Sequence, residues 1–314
     1  MDTLAVVLEE PGLLALRTLG LSAPTDDDVV VEVAWTGVST GTERLLWDGR
    51  MPPFPGLAYP LVPGYEATGE VLWAGSESGH RRGERVFAPG SRGFIGAHGL
   101  FGAAARRIVA PGARVHRIDE GLGEEGCLLA LAATAYHALP RAGDDGPVLI
   151  VGHGALGRLL ARLLVARDPG RPPIVWERNP DRATGAEGYE VQPPGAKADE
   201  PFTTIIDVSG DPGILDHLFP VLARGGEVVL AGFYPDEVRF RFPPAFMKEA
   251  RFRVAAEWTD SDLAEVNRMV TRGVLKLGGL VTHRAKAPTA ASAYRTAFED
   301  ASCVKMILDW RDVA

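Results

Sequence analysis

Two rhythms of apolar and polar residues divide this chain. Up to about residue 115 the apolar residues come in short runs cut by glycine and proline, at 4–8, 13–19, 29–33, 69–73, 85–87 and 103–110. Short strands with that punctuation predict a small barrel-like β domain. From about Gly121 the rhythm lengthens. A helix is predicted over 124–139, with Glu124 and Glu125 at the positive end of its dipole and Leu128, Leu129, Leu131, Ala132 and Ala135 on an apolar face. Strands at 148–151, 174–176, 189–191, 203–210, 226–232 and 252–258 alternate with helices at 155–164, 212–222 and 260–273, the last capped by Asp260 or Ser261. Such alternation predicts parallel βαβ units, so the fold class is α/β, a doubly wound parallel sheet behind a β-rich domain. A helix at 287–298 and a strand at 304–308 break the rhythm and are predicted to return to the first domain.

In the second half, the apolar run 148–151 breaks into Gly152-His153-Gly154-Ala155-Leu156-Gly157. A helical stripe of Leu156, Leu159, Leu160, Leu163 and Leu164 follows, with Arg158 and Arg162 off it. Gly152, Gly154 and Gly157 have the spacing G-x-G-x-x-G: the first makes a tight turn, the second lets backbone approach a pyrophosphate, the third packs helix on strand. The helix start then faces the phosphates. Glu177, after the strand 174–176, stands where a carboxylate accepts hydrogen bonds from the adenosine ribose, which favours NAD over NADP because a 2′-phosphate is repelled. Arg178 and Arg182 beside it are what a phosphate-accepting site uses. The strand ends Ser209-Gly210 and Gly232-Phe233 fall at the same edge.

Charge and cysteine content exclude other classes. With 33 basic and 41 acidic residues the formal charge is −8, which argues against nucleic-acid binding and against adsorption to anionic lipid. Cys127 and Cys303 stand outside any C-x-x-C pattern, so neither a disulfide framework nor a cysteine-rich zinc site is expected. Residues 1–10 have no basic n-region and an apolar run too short for a signal peptide or a membrane span, so the expected location is cytoplasmic.

Two stretches of the first domain, 45–60 and 89–101, are unusually apolar for loops and carry Trp47, Phe54, Tyr59, Phe94 and Phe101. They either pack on their own domain or form a wall for a large, flat, apolar ligand.

Over its whole length the chain resembles the medium-chain dehydrogenase/reductase superfamily. Gly37-Val38-Ser39-Thr40-Gly41-Thr42-Glu43 sits where zinc alcohol dehydrogenases have Gly-Ile-Cys-Gly-Thr-Asp. Pro63-Gly64-Tyr65-Glu66-Ala67-Thr68-Gly69-Glu70-Val71 is similar to their Pro-x-x-Gly-His-Glu block, and Gly83-Glu84-Arg85-Val86 to their Gly-Asp-Arg-Val. The resemblance implies a GroES-like β-rich catalytic domain over 1–118 and 276–314 and a Rossmann dinucleotide-binding domain over 119–275. Two departures stand out. The ligand cysteine is replaced by Ser39 or Thr40, the alignment being ambiguous by one residue, and the ligand histidine by Tyr65. The remaining donors do not suffice for Zn²⁺, and no metal is expected.

Within the superfamily, Ser39-Thr40-Gly41-Thr42-Glu43, Met51-Pro52-Pro53-Phe54-Pro55-Gly56, the block 59–66 and Val151-Gly152-His153-Gly154 resemble the bacteriochlorophyllide dehydrogenases of photosynthetic bacteria. That resemblance implies oxidation of a 3-(1-hydroxyethyl) group to 3-acetyl on a tetrapyrrole partner, with NAD⁺ as hydride acceptor. Pairing of two copies through the sixth strand of the Rossmann sheet, a homodimer, is implied at family level.

Without a Lewis acid the hydroxyl proton must leave through side chains. Ser39, Thr40, Thr42 and Tyr65 surround the place of the zinc; Tyr65 is expected to hydrogen-bond the substrate hydroxyl while one of the others relays its proton. Alternatively, Ser39 and Thr42 cap a helix beginning near Glu43 and Tyr65 fills the metal's volume. Trp47, Phe54, Tyr59, Phe94 and Phe101 are the candidates to stack on a macrocycle, and Arg50, Arg106 or Arg107 to pair with its propionate. The cofactor is expected against Gly152, His153, Gly154, Ala155, Leu156, Gly157, Glu177, Arg178, Ser209, Gly210, Gly232 and Phe233. Two rivals remain: a zinc-free NADPH-dependent quinone or enoyl reductase, against which Glu177 counts, and a nucleotide-binding protein without catalysis.

Overall fold

The computed structural model describes every residue except Phe54, Ala142, Gly143, Asp145, Lys197, Ala198 and Ala314, and it divides into two units, Met1–Ala130 with Val281–Ala314, and Leu131–Leu280. In chain order the first strands are β1 (Asp2–Glu10), β2 (Leu13–Leu21), β3 (Asp28–Val38), β4 (Leu61–Val62), β5 (Ala67–Ala74), β6 (Arg85–Ala88), β7 (Phe94–Ile95), β8 (His98–Gly99), β9 (Arg107–Pro111) and β10 (His116–Arg117), with helix α1 (Thr42–Trp47) between β3 and β4. Then follow α2 (Leu129–Ala138), β11 (Val148–Val151), α3 (Ala155–Arg167), β12 (Ile174–Trp176), β13 (Glu190–Gln192), β14 (Phe202–Asp207), α4 (Leu215–Leu218), β15 (Leu222–Leu230), α5 (Phe242–Lys248), β16 (Arg251–Val254) and α6 (Asp260–Thr271). The chain ends in β17 (His283–Lys286), α7 (Ala290–Glu299) and β18 (Met306–Asp309).

Alternating apolar residues build the first unit. One sheet runs β7-β2-β1-β4-β8 and a second β10-β6-β5-β3-β18-β17, with β9 also on β3. Side chains such as Val6, Val31, Val71, Ile108 and Trp310 make its core. The chain's end is part of this unit: β18 runs antiparallel to β3 with Met306 opposite Val38 and Asp309 opposite Trp35. It therefore lies along the strand that leads into Ser39.

The second unit is a sheet in the order β13-β12-β11-β14-β15-β16, every pair parallel. Strand order reverses between β11 and β14, so the loops after these two strands leave the sheet side by side, where α/β sheets bind ligands. Three local readings change. The helix expected over 212–222 shrinks to α4, because Leu222 pairs with Phe202 and begins β15. The helix expected over 124–139 is a 3-10 segment from Glu120 to Leu128 followed by α2, broken at Gly123, whose φ is +55°. Thr259 rather than Asp260 or Ser261 caps α6, in a capping box with Asp262. Arg158 and Arg162 leave the apolar stripe of α3 yet are buried, because backbone carbonyls accept their N–H groups: those of His153, Arg182 and Gly185 for Arg158, and of Lys276 and Gly278 for Arg162. Among the described residues no helix is long and apolar enough to cross a membrane.

Candidate active site

In the first unit β3 ends at Val38, and the turn Ser39-Thr40-Gly41 opens α1. Tyr65 donates its hydroxyl to Ser39 Oγ at 2.8 Å, and the backbone N–H of Thr42 donates to the same oxygen at 3.3 Å. The Thr42 side chain also bonds the Tyr65 phenol. The one-residue ambiguity thereby resolves: Ser39 is the residue that meets Tyr65. A serine oxygen has two acceptor sites. Both are taken, so the Ser39 hydroxyl hydrogen is what this group offers to an incoming oxygen. Burial, and then the neighbouring Glu66 carboxylate, push the Tyr65 phenol far above its ordinary range, so Tyr65 stays protonated and acts as a donor, not as a phenolate base.

Two buried carboxylates lie behind this group. Glu43, in the first turn of α1, accepts the Ser39 N–H at 2.9 Å and the Tyr294 hydroxyl at 2.6 Å. Burial raises its acid from 4.5 to about 7, against the lowering effect of those two hydrogen bonds. Glu66 forms an ion pair with Lys305, which arrives just before β18. A Cβ on Gly37 would stand 2.0 Å from Glu66 Oε2, so only glycine leaves room for the pair. Among the described residues no group of three or more His, Cys, Asp or Glu side chains is placed to hold a metal ion. The donors at Ser39 and Tyr65 do not suit zinc either.

The apolar loops assemble beside Tyr65. Trp47, Met51, Leu57, Tyr59 and Phe101 pack around Leu8, Leu46, Leu61 and Leu100, and Phe101 meets the Tyr65 ring edge-on at 5.6 Å. The Tyr59 hydroxyl is held by the Leu46 carbonyl at 2.5 Å. Of the proposed aromatic wall, Trp47, Tyr59 and Phe101 therefore come together. Phe94 instead lies in the main core of the unit, 9% exposed, and Phe54 lies outside the described residues. Arg106 and Arg107, two of the three candidates for a propionate, both bind Glu32, at 3.2 and 2.6 Å, which partly balances their charge.

In the second unit the glycine turn has the shape its spacing predicts. Gly152 has φ +106°. A Cβ on Gly157 would lie 1.9 Å from the Gly152 carbonyl oxygen, whereas one on Gly154 would meet nothing within 4 Å, leaving an open approach. No side chain caps α3 at Gly154, so Ala155 and Leu156 present their N–H groups as an anion site. The Glu177 carboxylate is fixed by the His153 N–H at 2.9 Å and the Asn179 N–H at 2.7 Å. Arg178 beside it is exposed. Ser209-Gly210 and Gly232-Phe233 meet at the ends of β14 and β15, where a Cβ on Gly232 would lie 3.1 Å from Gly210 N. These groups fit a dinucleotide. The sequence reading missed Glu43, Tyr294 and Lys305 in the first unit, and Tyr234, whose hydroxyl binds the buried Asp207, in the second. Lys305 carried a signal, a lone charge before an apolar strand.

A β unit with a strand returned from the chain's end, followed by a β13-β12-β11-β14-β15-β16 sheet with a glycine turn, defines a medium-chain dehydrogenase/reductase. The alcohol dehydrogenase GroES-like domain family matches residues 25–120. L-idonate 5-dehydrogenase from Escherichia coli superposes with a TM-score of 0.85 at 18% identity over 99% of both chains. An E. coli short chain alcohol dehydrogenase complexed with NADH superposes with 0.83 at 20% identity, over 98% of this chain and 99% of that one. The 2-desacetyl-2-hydroxyethyl bacteriochlorophyllide A dehydrogenase of Rhodobacter capsulatus is 53% identical over 99% of both chains, and that of Cereibacter sphaeroides 53% identical over the whole of both. The chain belongs to this dehydrogenase family.

Proposed function

We propose that the chain oxidises the hydroxyethyl side group of a bacteriochlorophyllide to an acetyl group, with NAD⁺ as hydride acceptor and without zinc. The observation that carries this reading is the Ser39, Thr42 and Tyr65 hydroxyl set beside the wall of Trp47, Tyr59 and Phe101, in a chain 53% identical to bacteriochlorophyllide dehydrogenases. Bound NAD⁺ supplies the acceptor for the carbinol hydride. Gly152, Gly154, Ala155, Leu156 and Gly157 hold its phosphates and Glu177 its adenosine ribose, which favours NAD⁺ over NADP⁺. Ser39 binds the substrate oxygen. As the hydride leaves, the alcohol proton passes to Ser39, Ser39 passes its own hydrogen to Tyr65, Tyr65 its own to Thr42, and the partly exposed Thr42 gives its own to water, each hydrogen bond reversing direction.

The test mixes purified protein with NAD⁺ and a hydroxyethyl bacteriochlorophyllide and follows the pigment's red absorbance together with NADH. Cofactor binding without turnover would favour a non-catalytic nucleotide-binding protein, and NADPH-driven quinone reduction the reductase reading. Stoichiometric zinc in elemental analysis would remove the zinc-free mechanism. We also read a homodimer from β16, an edge strand flanked by the exposed Phe242, Phe246, Met247 and Val254. A monomer mass by light scattering would overturn that. A cytoplasmic location fits the absence of any helix able to span a membrane among the described residues.

A further inference from the structure

His153 sits between the first two glycines of the turn and is fully buried. Its ring points into the segment that follows Glu177. Nδ1 lies 2.6 Å from the Arg182 carbonyl oxygen and Nε2 2.8 Å from the Tyr189 hydroxyl. A carbonyl only accepts, so Nδ1 carries the hydrogen and Nε2 accepts from Tyr189. Burial, which lowers the imidazole's proton affinity, keeps that neutral tautomer. Arg158 holds the same segment: it donates to the carbonyls of His153 at 3.1 Å, Arg182 at 3.1 Å and Gly185 at 3.4 Å. The chain passes so close that a Cβ on Gly185, whose φ is +80°, would lie 2.4 Å from the Arg158 guanidinium. The segment is thus fastened to the glycine turn at both ends. Glu177 is tied through the backbone N–H of His153, and residues 182–189 through its ring and Arg158.

A 2′-phosphate at this edge needs the Glu177 carboxylate moved aside and a cation of the same segment, Arg178 or Arg182, brought round to it. Each movement requires the segment to shift. We propose that the His153 ring, with Arg158, is a positioning device for cofactor selection: it holds 177–189 in the one arrangement that receives a 2′,3′-diol and cannot reshape around a phosphate. This rests on the reading that the chain uses NAD⁺.

The experiment measures equilibrium dissociation constants for NADH and NADPH, by nucleotide fluorescence, in the wild type, His153→Ala and Tyr189→Phe. Losing one such hydrogen bond is expected to narrow the NADPH/NADH ratio about fivefold in Tyr189→Phe. His153→Ala loses both ring bonds and is expected to narrow it about twentyfold. Equal weakening of both nucleotides, with the ratio unchanged, would overturn the proposal and leave the ring a purely structural role. Should His153→Ala fail to fold, the milder Tyr189→Phe decides by the same ratio. A wild type that binds NADH and NADPH equally would instead defeat the NAD⁺ reading itself, and is recognised before any variant is compared.

Discussion

Lys305 and Glu66 form an ion pair that water does not reach, their side chains being 1% and 0% exposed. Burial raises the Glu66 acid and the Lys305 cation opposes that shift. Removing one charge of such a pair costs about 3–5 kcal/mol, because the other is left uncompensated. Lys305→Met is expected to lose about that much at pH 8 in urea denaturation and clearly less at pH 5. The sign follows from linkage: without the cation the folded-state pKa of Glu66 climbs further, and an acid with a raised pKa loses stability as pH rises above its unfolded value. Combining Lys305→Met with Glu66→Leu should recover most of the loss. A single variant as stable as the wild type at both pH values would contradict the pair's role.

Ser39 and Tyr65 are ordered by their hydrogen bonds, with Tyr65 donating to Ser39 and the Ser39 hydrogen left for substrate. Ser39→Ala should therefore lower kcat more than Tyr65→Phe, by roughly 10³-fold against roughly 10²-fold, the range spanned by positioned proton donors. Neither should change the KM for NAD⁺, since both residues lie outside the glycine turn. Steady-state kinetics with the hydroxyethyl substrate checks the order. A larger loss in Tyr65→Phe would return the tyrosine to direct contact with the alcohol.

What could be read from the chain depended on how local its cause is. Gly152, Gly154 and Gly157 were legible because each meets a backbone constraint within a few residues of itself, and the strands because burial imposes a period of two on neighbouring positions. Glu43 and Tyr294 were not, since their contact joins residues 251 positions apart and nothing near Tyr294, on a helix face with Ala290, Ala293 and Ala297, marks it as polar-bonded. The Ser39 or Thr40 ambiguity had the same origin: only the fold decides which hydroxyl meets Tyr65. The helix α5 has no counterpart among the expected elements, although Pro243 and Pro244 are well placed in a helix's first turn.

Gly157 and Gly154 separate packing from cofactor approach. At Gly157 a Cβ would collide with the Gly152 carbonyl, forcing α3 off β11, so Gly157→Ala should lose about 1–3 kcal/mol of stability as well as cofactor binding. At Gly154 the φ of −76° suits alanine and the added Cβ meets no protein atom. Gly154→Ala should melt like the wild type yet raise the NADH dissociation constant, because the new methyl stands where the pyrophosphate approaches. Thermal melts with and without NADH distinguish the two, and unimpaired NADH binding in Gly154→Ala would move the phosphates elsewhere.

Glu43 makes the stability of the first unit depend on pH. Its acid stands at about 7 in the folded chain, against an ordinary 4.5, with burial as the main cause; Tyr294, the Ser39 N–H and Lys305 lower it, and Glu66 raises it. Between those two values the unfolded chain has lost this proton while the folded chain still holds it. The folded state binds more protons, so stability falls as pH rises through the window, by about 3 kcal/mol in all, and is level above it. Glu43→Gln removes the titration and keeps the side chain's shape. Urea denaturation from pH 4.5 to 8 should show a smaller drop in the variant than in the wild type, with the two curves diverging most above pH 7. Tyr294→Phe should act in the opposite direction, since losing a hydrogen bond to the carboxylate raises the acid further and deepens the drop at alkaline pH. Parallel curves for the wild type and Glu43→Gln would show that Glu43 does not titrate in this range.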